Sequence, residues 1–324
     1  MSNFEKTIFY RDNCVKAKET GDGMEYTIEC IDGTGTMLCY EVFPGLELFF
    51  NSFQAYHCKE NREQSNMLKL NFCVSGRFEC SFTTKDCGIL GPGDMSANLF
   101  DGKHGAASIC EFPLGYYEGV GILIDCDRAT KWTEQNLGIF SLDFNSLKQH
   151  LFPSGWYWVR PSGPKCEHVF RELYENGRSN DLQYIRLKIT ELFLILERLP
   201  LIQKTESYFP KSQVELVKHL RDHIISDPTC YSSIEQLAAE HQISISQLQK
   251  VFRSIYGVPI YKYLREYRIE QAAVALQKTV KSITEIALDA GFTNPGKFSE
   301  TFKRRYGMTP TDYRNYEKLN TEMD

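Results

Sequence analysis

Thr301-Phe302-Lys303-Arg304-Arg305-Tyr306-Gly307-Met308-Thr309-Pro310 restates the earlier stretch Val251-Phe252-Arg253-Ser254-Ile255-Tyr256-Gly257-Val258-Pro259. Leu248 and Phe298, Phe252 and Phe302, Tyr256 and Tyr306, and Gly257 and Gly307 all stand 50 residues apart. Leu237-Ala238 and Ile286-Ala287 stand 49 apart. A unit of this size copied along a chain is a supersecondary module.

Each copy predicts a short helix, a tight turn and a second helix. The starts are marked by caps. Ser232-Ser233-Ile234-Glu235 and Ser282-Ile283-Thr284-Glu285 are capping boxes, and Ser244-Ile245-Ser246-Gln247 is the glutamine form. Asn294-Pro295 joins a good cap to a proline at the first helical position. A small Ala midway along the first helix lets the second cross close to it. Four residues later the turn calls for a left-handed residue, supplied by Gly291 in copy two. Copy one has Gln242 there, so its turn either tolerates strain or adopts another geometry. This is the helix-turn-helix pattern, over residues 232–256 and 282–306. The stretch from Ile260 to Gln277 reads as one long helix between the copies. Its Arg265 and Arg268 are either solvated or within reach of phosphate. Such a helix can hold two reading heads for successive major grooves, roughly 34 Å apart on one DNA face.

Several motifs then fall in order: Ser244-x3-Leu248-x3-Phe252 with Gly257; Tyr263-Leu264-x3-Arg268-x3-Ala272; Ile283-x2-Ile286-Ala287-x3-Gly291-Phe292; and Phe298-x3-Phe302-Lys303-x3-Gly307-x-Thr309-Pro310-x2-Tyr313-Arg314. This composite resembles the AraC/XylS family of bacterial transcription regulators, over roughly residues 213–316. The resemblance implies double-stranded DNA and RNA polymerase as partners, and activation as the commoner outcome. It also implies that Ser246, Gln249 and Lys250 of copy one hold base-reading positions. The matching positions of copy two are Gly296, Ser299 and Glu300. Gln pairs with adenine and Lys with guanine, whereas Gly offers no side chain and Glu repels DNA unless it accepts from cytosine. Copy one is therefore expected to carry most of the base readout. Arg253, Lys297, Lys303, Arg304 and Arg305 are expected at phosphates, where they set affinity and salt dependence.

The preceding half differs in kind. Residues 211–324 hold 16 Lys and Arg against 14 Asp and Glu, and the remainder 21 against 28. An acidic sensor joined to a mildly basic nucleic-acid module gives this asymmetry. From residue 24 to about 125 the pattern is β. Met67–Val74 and Arg77–Phe82 alternate, with Ser75-Gly76 between them as a hairpin signal. Gly91-Pro92-Gly93-Asp94 is a second turn, and residues 117–125 form another apolar strand. Many short strands with turn signals predict a barrel or jelly roll. The segments 70–77 and 91–94 resemble the cupin-type sensors of the same family, which implies a small-molecule effector. Phe112-Pro113-Leu114-Gly115-Tyr116-Tyr117, running on to Asp125, resembles a subset related to siderophore-responsive regulators. Phe43, Phe49, Phe50, Phe53, Tyr56, Tyr116 and Tyr117 suit either a pocket lining or core and surface.

The rival class is a cupin-type metal enzyme. Its site needs clustered His and carboxylate. This region holds only His57 and His104, and adjacent residues such as His57 and Cys58 point to opposite faces of a strand. The expectation is no enzyme, no metal and no cofactor. A regulator without ligand, set by partner or abundance, is the third reading. The 11 cysteines contain no Cys-x-x-Cys pair and are expected as buried, reduced thiols.

From about residue 164 the pattern becomes helical. Leu182, Ile185, Ile189, Leu192, Leu196 and Leu199 share one face, widened by Phe193 and Ile195. That face fits its own β domain or a second copy in a homodimer. Residues 201–212, with Pro200 and Pro210 bracketing a polar stretch, read as a linker. The predicted fold is thus α+β. A cupin-like β-barrel spans 1–160 and a helical dimerisation segment 161–200. A linker spans 201–212, and an all-α domain with two helix-turn-helix units spans 213–316. No apolar run reaches the roughly 20 residues of a membrane span, and the first residues lack signal-peptide character, so the expected location is the cytoplasm.

Overall fold

A computed structural model describes residues 15–21, 23–60, 67–81, 86–100, 108–138, 141–153, 155–177, 181–200, 208–226 and 233–321. The chain divides into two compact units, Met1–Lys211 and Ser212–Asp324.

The strands of the first unit are β1 (Val15–Thr20), β2 (Gly23–Glu29), β3 (Thr34–Phe43), β4 (Leu46–Gln54), β5 (His57–Glu60), β6 (Met67–Gly76), β7 (Phe78–Ser81), β8 (Asp86–Leu90), β9 (Asp94–Phe100), β10 (Ser108–Glu111) and β11 (Tyr117–Asp125). Helices α1 (Cys126–Asn136) and α2 (Phe144–Leu151) follow, then β12 (Tyr157–Pro161), α3 (Gly163–Asn176), α4 (Leu182–Leu196) and β13 (Tyr208–Pro210). An eight-stranded sheet runs β1-β2-β3-β4-β11-β6-β9-β12, and a five-stranded sheet runs β13-β8-β7-β10-β5. Among the described residues no barrel closes. The strands form two open sheets with a shared core, in which Phe49, Cys73 and Tyr117 of the larger sheet meet Cys58, Phe78, Leu90 and Cys110 of the smaller. Period-two alternation is common to barrels and stacked sheets, which is why the pattern alone suggested closure.

The expected hairpin at Ser75-Gly76 is also corrected. β6 pairs with β11 and β9, whereas β7 pairs with β8 and β10. Gly76 is instead the corner where the chain changes sheets. It has φ +76°, and a Cβ there would stand 2.2 Å from the Tyr116 carbonyl oxygen, so only glycine fits. The turn at Gly91-Pro92-Gly93-Asp94 forms as expected, with the Asp94 amide donating to the Gly91 carbonyl at 2.9 Å. It carries the chain back to the larger sheet.

The other face of the larger sheet is covered by helices. Phe72 stacks on Phe170 at 4.7 Å, and Phe144 meets Phe193 edge-on at 4.9 Å. Ile185, Ile189, Leu192, Phe193 and Leu196 of α4 are all buried in this layer. Each such side chain stabilises the fold by about 1.5–3 kcal/mol. The apolar face read from the sequence therefore packs on its own domain. Of the aromatic residues considered for a pocket, Phe43, Phe49, Phe50, Phe53 and Tyr117 are buried, while Tyr56 and Tyr116 are exposed. In the segment expected as a linker, Tyr208–Pro210 pairs with β8 as an edge strand, and helix starts at Lys211. Residues 201–207 lie outside the described residues.

The second unit is helical: α5 (Lys211–Ser226), α6 (Ser233–Glu240), α7 (Ile245–Tyr256), α8 (Ile260–Lys278), α9 (Ile283–Asp289), α10 (Pro295–Tyr306) and α11 (Pro310–Thr321). Among the described residues no helix is long and apolar enough to cross a membrane.

Candidate nucleic-acid interface

The two turns are built on the same hydrogen bonds. In copy one the Ile243 amide donates to Ala238 at 2.9 Å and Gln242 to Ala239 at 3.1 Å. In copy two Phe292 donates to Ala287 at 2.9 Å and Gly291 to Leu288 at 2.8 Å. These partners keep the 49-residue offset. The offset becomes 50 at the caps Ser244 and Asn294, because Thr293 is one extra residue in the second turn.

The caps explain where the second helices begin. The Asn294 side chain accepts from the amides of Gly296 and Lys297 at 2.8 and 3.1 Å, with Pro295 at the first helical position. Ser282 and Glu285 close a full capping box, and these backbone hydrogen bonds hold the Glu285 carboxyl below its usual range. The box expected at Ser244 closes only halfway. Its hydroxyl accepts from the Gln247 amide at 3.1 Å, but the Gln247 side chain donates to Gln213 of α5 at 3.1 Å instead. Ser232 lies outside the described residues. Both second helices end on a left-handed glycine, Gly257 at φ +82° and Gly307 at +76°.

Behind each second helix sits a matching trio of rings. Phe252 lies 4.7 Å from Tyr256 and 5.4 Å from Tyr263. Phe302 lies 4.7 Å from Tyr306 and 5.3 Å from Tyr313. The repeat therefore runs on into the following helix, α8 or α11. Tyr263 and Tyr313, also 50 apart, carried that signal in the sequence.

α8 ties the copies together. Tyr263 near its start packs on copy one, while Ile269, Ala272, Ala273 and Leu276 join the core of copy two. Its 19 residues span about 28 Å. Arg268 is not presented to solvent. It is buried and donates to the Gly291 carbonyl at 3.3 Å. Arg265 is exposed and, with Lys297 and Arg304, borders a cleft of about 490 Å³ between α8 and α10.

The inward faces hold Leu248, Val251, Phe252, Phe298 and Phe302, all fully buried. The outward faces differ between copies. In α7, Ser246, Lys250 and Arg253 are exposed and Gln249 is half-exposed. In α10, Gly296, Lys297, Glu300, Lys303, Arg304 and Arg305 are exposed. Ser299 is half-exposed, its hydroxyl donating to the Pro295 carbonyl at 3.0 Å. Glu300 holds Arg304 in an ion pair at 2.8 Å, and Glu270 lies 3.5 Å from Arg305. α7 contains no carboxylate.

In the first unit, His57 Nδ1 bonds Asp32 Oδ2 rather than sharing a ligand set with Cys58. Among the described residues no group of three His, Cys, Asp or Glu is placed to hold a metal. His104 lies outside the described residues. Cys39, Cys58, Cys73, Cys87, Cys110, Cys126 and Cys166 are buried free thiols, and Cys30 is half-exposed.

A helix-turn-helix domain family matches residues 237–316. The regulatory protein SoxS of Salmonella typhimurium is 35% identical over 83 residues, which are 26% of this chain and 78% of SoxS. The chain belongs to the AraC family of transcriptional regulators. The HTH-type transcriptional regulator MtrA of Neisseria gonorrhoeae is 32% identical over 96 residues, 30% of this chain and 32% of MtrA. The Msm operon regulatory protein of Streptococcus mutans is 26% identical over 188 residues, 50% of this chain and 68% of that protein. The chain thus spans about a third of the length of MtrA, and its membership in the family is carried by the helix-turn-helix domain.

Proposed function

We propose that this AraC-family member is a sequence-specific DNA-binding transcription regulator in which copy one reads bases and copy two anchors the backbone. The carrying observation is the conserved frame with unequal outward faces. The same turn bonds and aromatic trio support α7 and α10. Yet α7 presents Ser246, Gln249 and Lys250 where α10 presents Gly296, Ser299 and an ion-paired Glu300. The roughly 28 Å rise of α8 suits heads set near one helical repeat of DNA. Lys297, Lys303, Arg304 and Arg305 beside copy two, and Arg253 beside copy one, are the phosphate contacts in this reading.

The β unit is the sensor of a small molecule, and a ligand that binds one arrangement better shifts the balance toward it. Activation through RNA polymerase is the outcome the family resemblance favours, with action in the cytoplasm, no enzymatic activity and no cofactor. A second copy is proposed to dock on α4. Its buried stripe is used internally, but Leu187 is 64% and Leu194 40% exposed beside a groove of about 920 Å³.

The test is genomic footprinting with and without a metabolite and siderophore panel, followed by anisotropy titrations on the sites found. Base substitutions under copy one should cost about 1–3 kcal/mol each. Equal sensitivity under copy two would sink the division of labour, and an absence of protected sites would sink the regulator reading.

A further inference from the structure

The inner face of the larger sheet has an unusual composition. One rung across it reads Glu41, Glu47, Leu123, Lys69, Asn98 and Tyr157; the next reads Cys39, Phe49, Gly121, Asn71, Ser96 and Val159. Both face the core shared with the smaller sheet, to which Phe49, Leu123 and Val159 belong. Five of the nine buried polar residues among those described, Glu47, Lys69, Asn71, Ser96 and Asn98, stand on these rungs. Asn71 satisfies itself on the Ser96 hydroxyl at 3.2 Å. Glu47 does not. It is only 7% exposed, and its Oε2 finds no hydrogen-bond partner.

A buried acceptor without a partner destabilises the fold, and more so when it is charged. The nearest cation does not relieve it, because Arg128 of α1 is turned to Glu41, 3.6 Å away. Lys69 lies two strands from Glu47, roughly 10 Å across the sheet. Burial first, and then the neighbouring Glu41, push the Glu47 carboxyl up to about 8, against a smaller opposing pull from Arg128. On this face the wall beside Glu47 is apolar, with Leu123 opposite it on β11 and Phe49 two residues farther along β4. Glycine at 121 keeps that wall low, since a Cβ there would come within 3.2 Å of Phe49.

We propose that this face is a binding subsite for a small organic cation, an amine or guanidine on an apolar body, with Glu47 accepting its charged nitrogen. The body lies on Leu123 and Phe49, and the Asn71, Asn98 and Lys69 side offers polar contacts to any further groups. This rests on the sensor reading of the β unit and names its ligand class. Because Glu47 holds a proton near neutrality, binding a cation releases that proton. Affinity for the cation therefore rises about tenfold per pH unit up to about pH 8 and levels off above it. The titratable and charged groups facing Glu47 in this account are Glu41 and the Cys39 thiol on β3, Arg128 on α1 and, farther off, Lys69 on β6.

The experiment is calorimetric titration of the full chain with phenethylamine and agmatine, and with phenethyl alcohol as the neutral counterpart, from pH 6 to 9. The amines should bind with the stated pH slope, the alcohol should not, and Glu47→Gln should weaken amine binding at least tenfold. Amine binding unchanged in Glu47→Gln, equal binding of the alcohol, or no amine binding at pH 8.5 overturns the proposal. If Glu47→Gln does not fold, carboxyl-carbon NMR of the unaltered chain decides. Saturating phenethylamine should lower the titration midpoint of Glu47, and an unmoved midpoint overturns it. Anisotropy on footprinted DNA with the same preparation separates the two readings. A chain that binds DNA but no amine fails only this inference.

Discussion

Gln242 and Gly291 hold the same place in the two helix-turn-helix turns, and both have positive φ, +52° and +76°. Gln242 is the one non-glycine residue with positive φ among those described. A left-handed residue with a Cβ costs roughly 1–2 kcal/mol, and glycine gives back about 0.5–1 kcal/mol in chain entropy. Gln242→Gly should therefore stabilise the full chain by about 0.5–1 kcal/mol in urea denaturation. The reverse change is harsher. A Cβ at Gly291 would stand 2.9 Å from Cζ of the buried Arg268. Gly291→Ala should cost about 1–3 kcal/mol, from backbone strain plus displacement of that guanidinium. Loss of stability in Gln242→Gly would show that the side chain, not the backbone, governs this turn.

The repeat was legible because the residues that preserve it are buried. Leu248 and Phe298, or Phe252 and Phe302, cannot change without leaving holes, so their spacing survives in the sequence. The capping signals were legible for a local reason, since cap and partner lie within three residues. What was lost depended on distant partners. Ser75-Gly76 reads as a two-residue turn whether the chain folds back or changes sheets, and the Tyr116 carbonyl decides. Arg268 looked like a surface cation until the Gly291 turn closed over it. Arg305 meets Glu270 across two helices. The Glu300–Arg304 pair is different. Its four-residue spacing was visible in the sequence and could have tempered the phosphate assignment of Arg304.

Glu47 makes the stability of the first unit pH-dependent in a definite direction. Its carboxyl has an unperturbed value of 4.5 and is raised to about 8 in the fold. Between these values the folded state holds a proton that the unfolded state has released. This contribution is fully present below pH 4.5 and is lost as pH rises toward 8. Denaturation midpoints measured from pH 5 to 8 should fall less steeply in Glu47→Gln than in the unaltered chain. The difference should reach up to about 1.4 kcal/mol per pH unit. Parallel curves would place the carboxylate in a more polar setting than the sheet interior.

The docking face proposed on α4 makes a prediction about association. Leu187 and Leu194 lie seven residues apart on one side of the helix, and both are exposed. Carboxylates at these positions leave the buried stripe of α4 untouched, so the fold should survive. Leu187→Glu with Leu194→Glu should convert a dimer to a monomer in sedimentation velocity at micromolar protein, without lowering the thermal midpoint. An unchanged sedimentation coefficient would remove this face from the proposed interface.

In the proposed reading, copy two carries its own brake on DNA binding. Glu300 faces outward from α10, where the resemblance places a base-reading residue, and it neutralises Arg304 at 2.8 Å. An exposed pair of this kind is worth only about 0.3–0.5 kcal/mol, so DNA phosphate can compete for the arginine. The carboxylate then remains near the DNA as an unpaired repulsive charge. Glu300→Gln should therefore tighten binding on every sequence and steepen the salt dependence, by up to about one phosphate equivalent. Arg304→Ala should weaken binding on every sequence and flatten that dependence. Gln249→Ala differs in kind, because the proposed role of Gln249 is a base contact rather than a phosphate contact. It should cost about 1–3 kcal/mol on the preferred site, little on other DNA, and leave the salt slope unchanged. Titrations of the three variants on specific and scrambled duplexes, at several salt concentrations, separate these effects. If Glu300→Gln altered sequence preference as much as Gln249→Ala, both copies would be reading bases, and the asymmetry between α7 and α10 would have another cause.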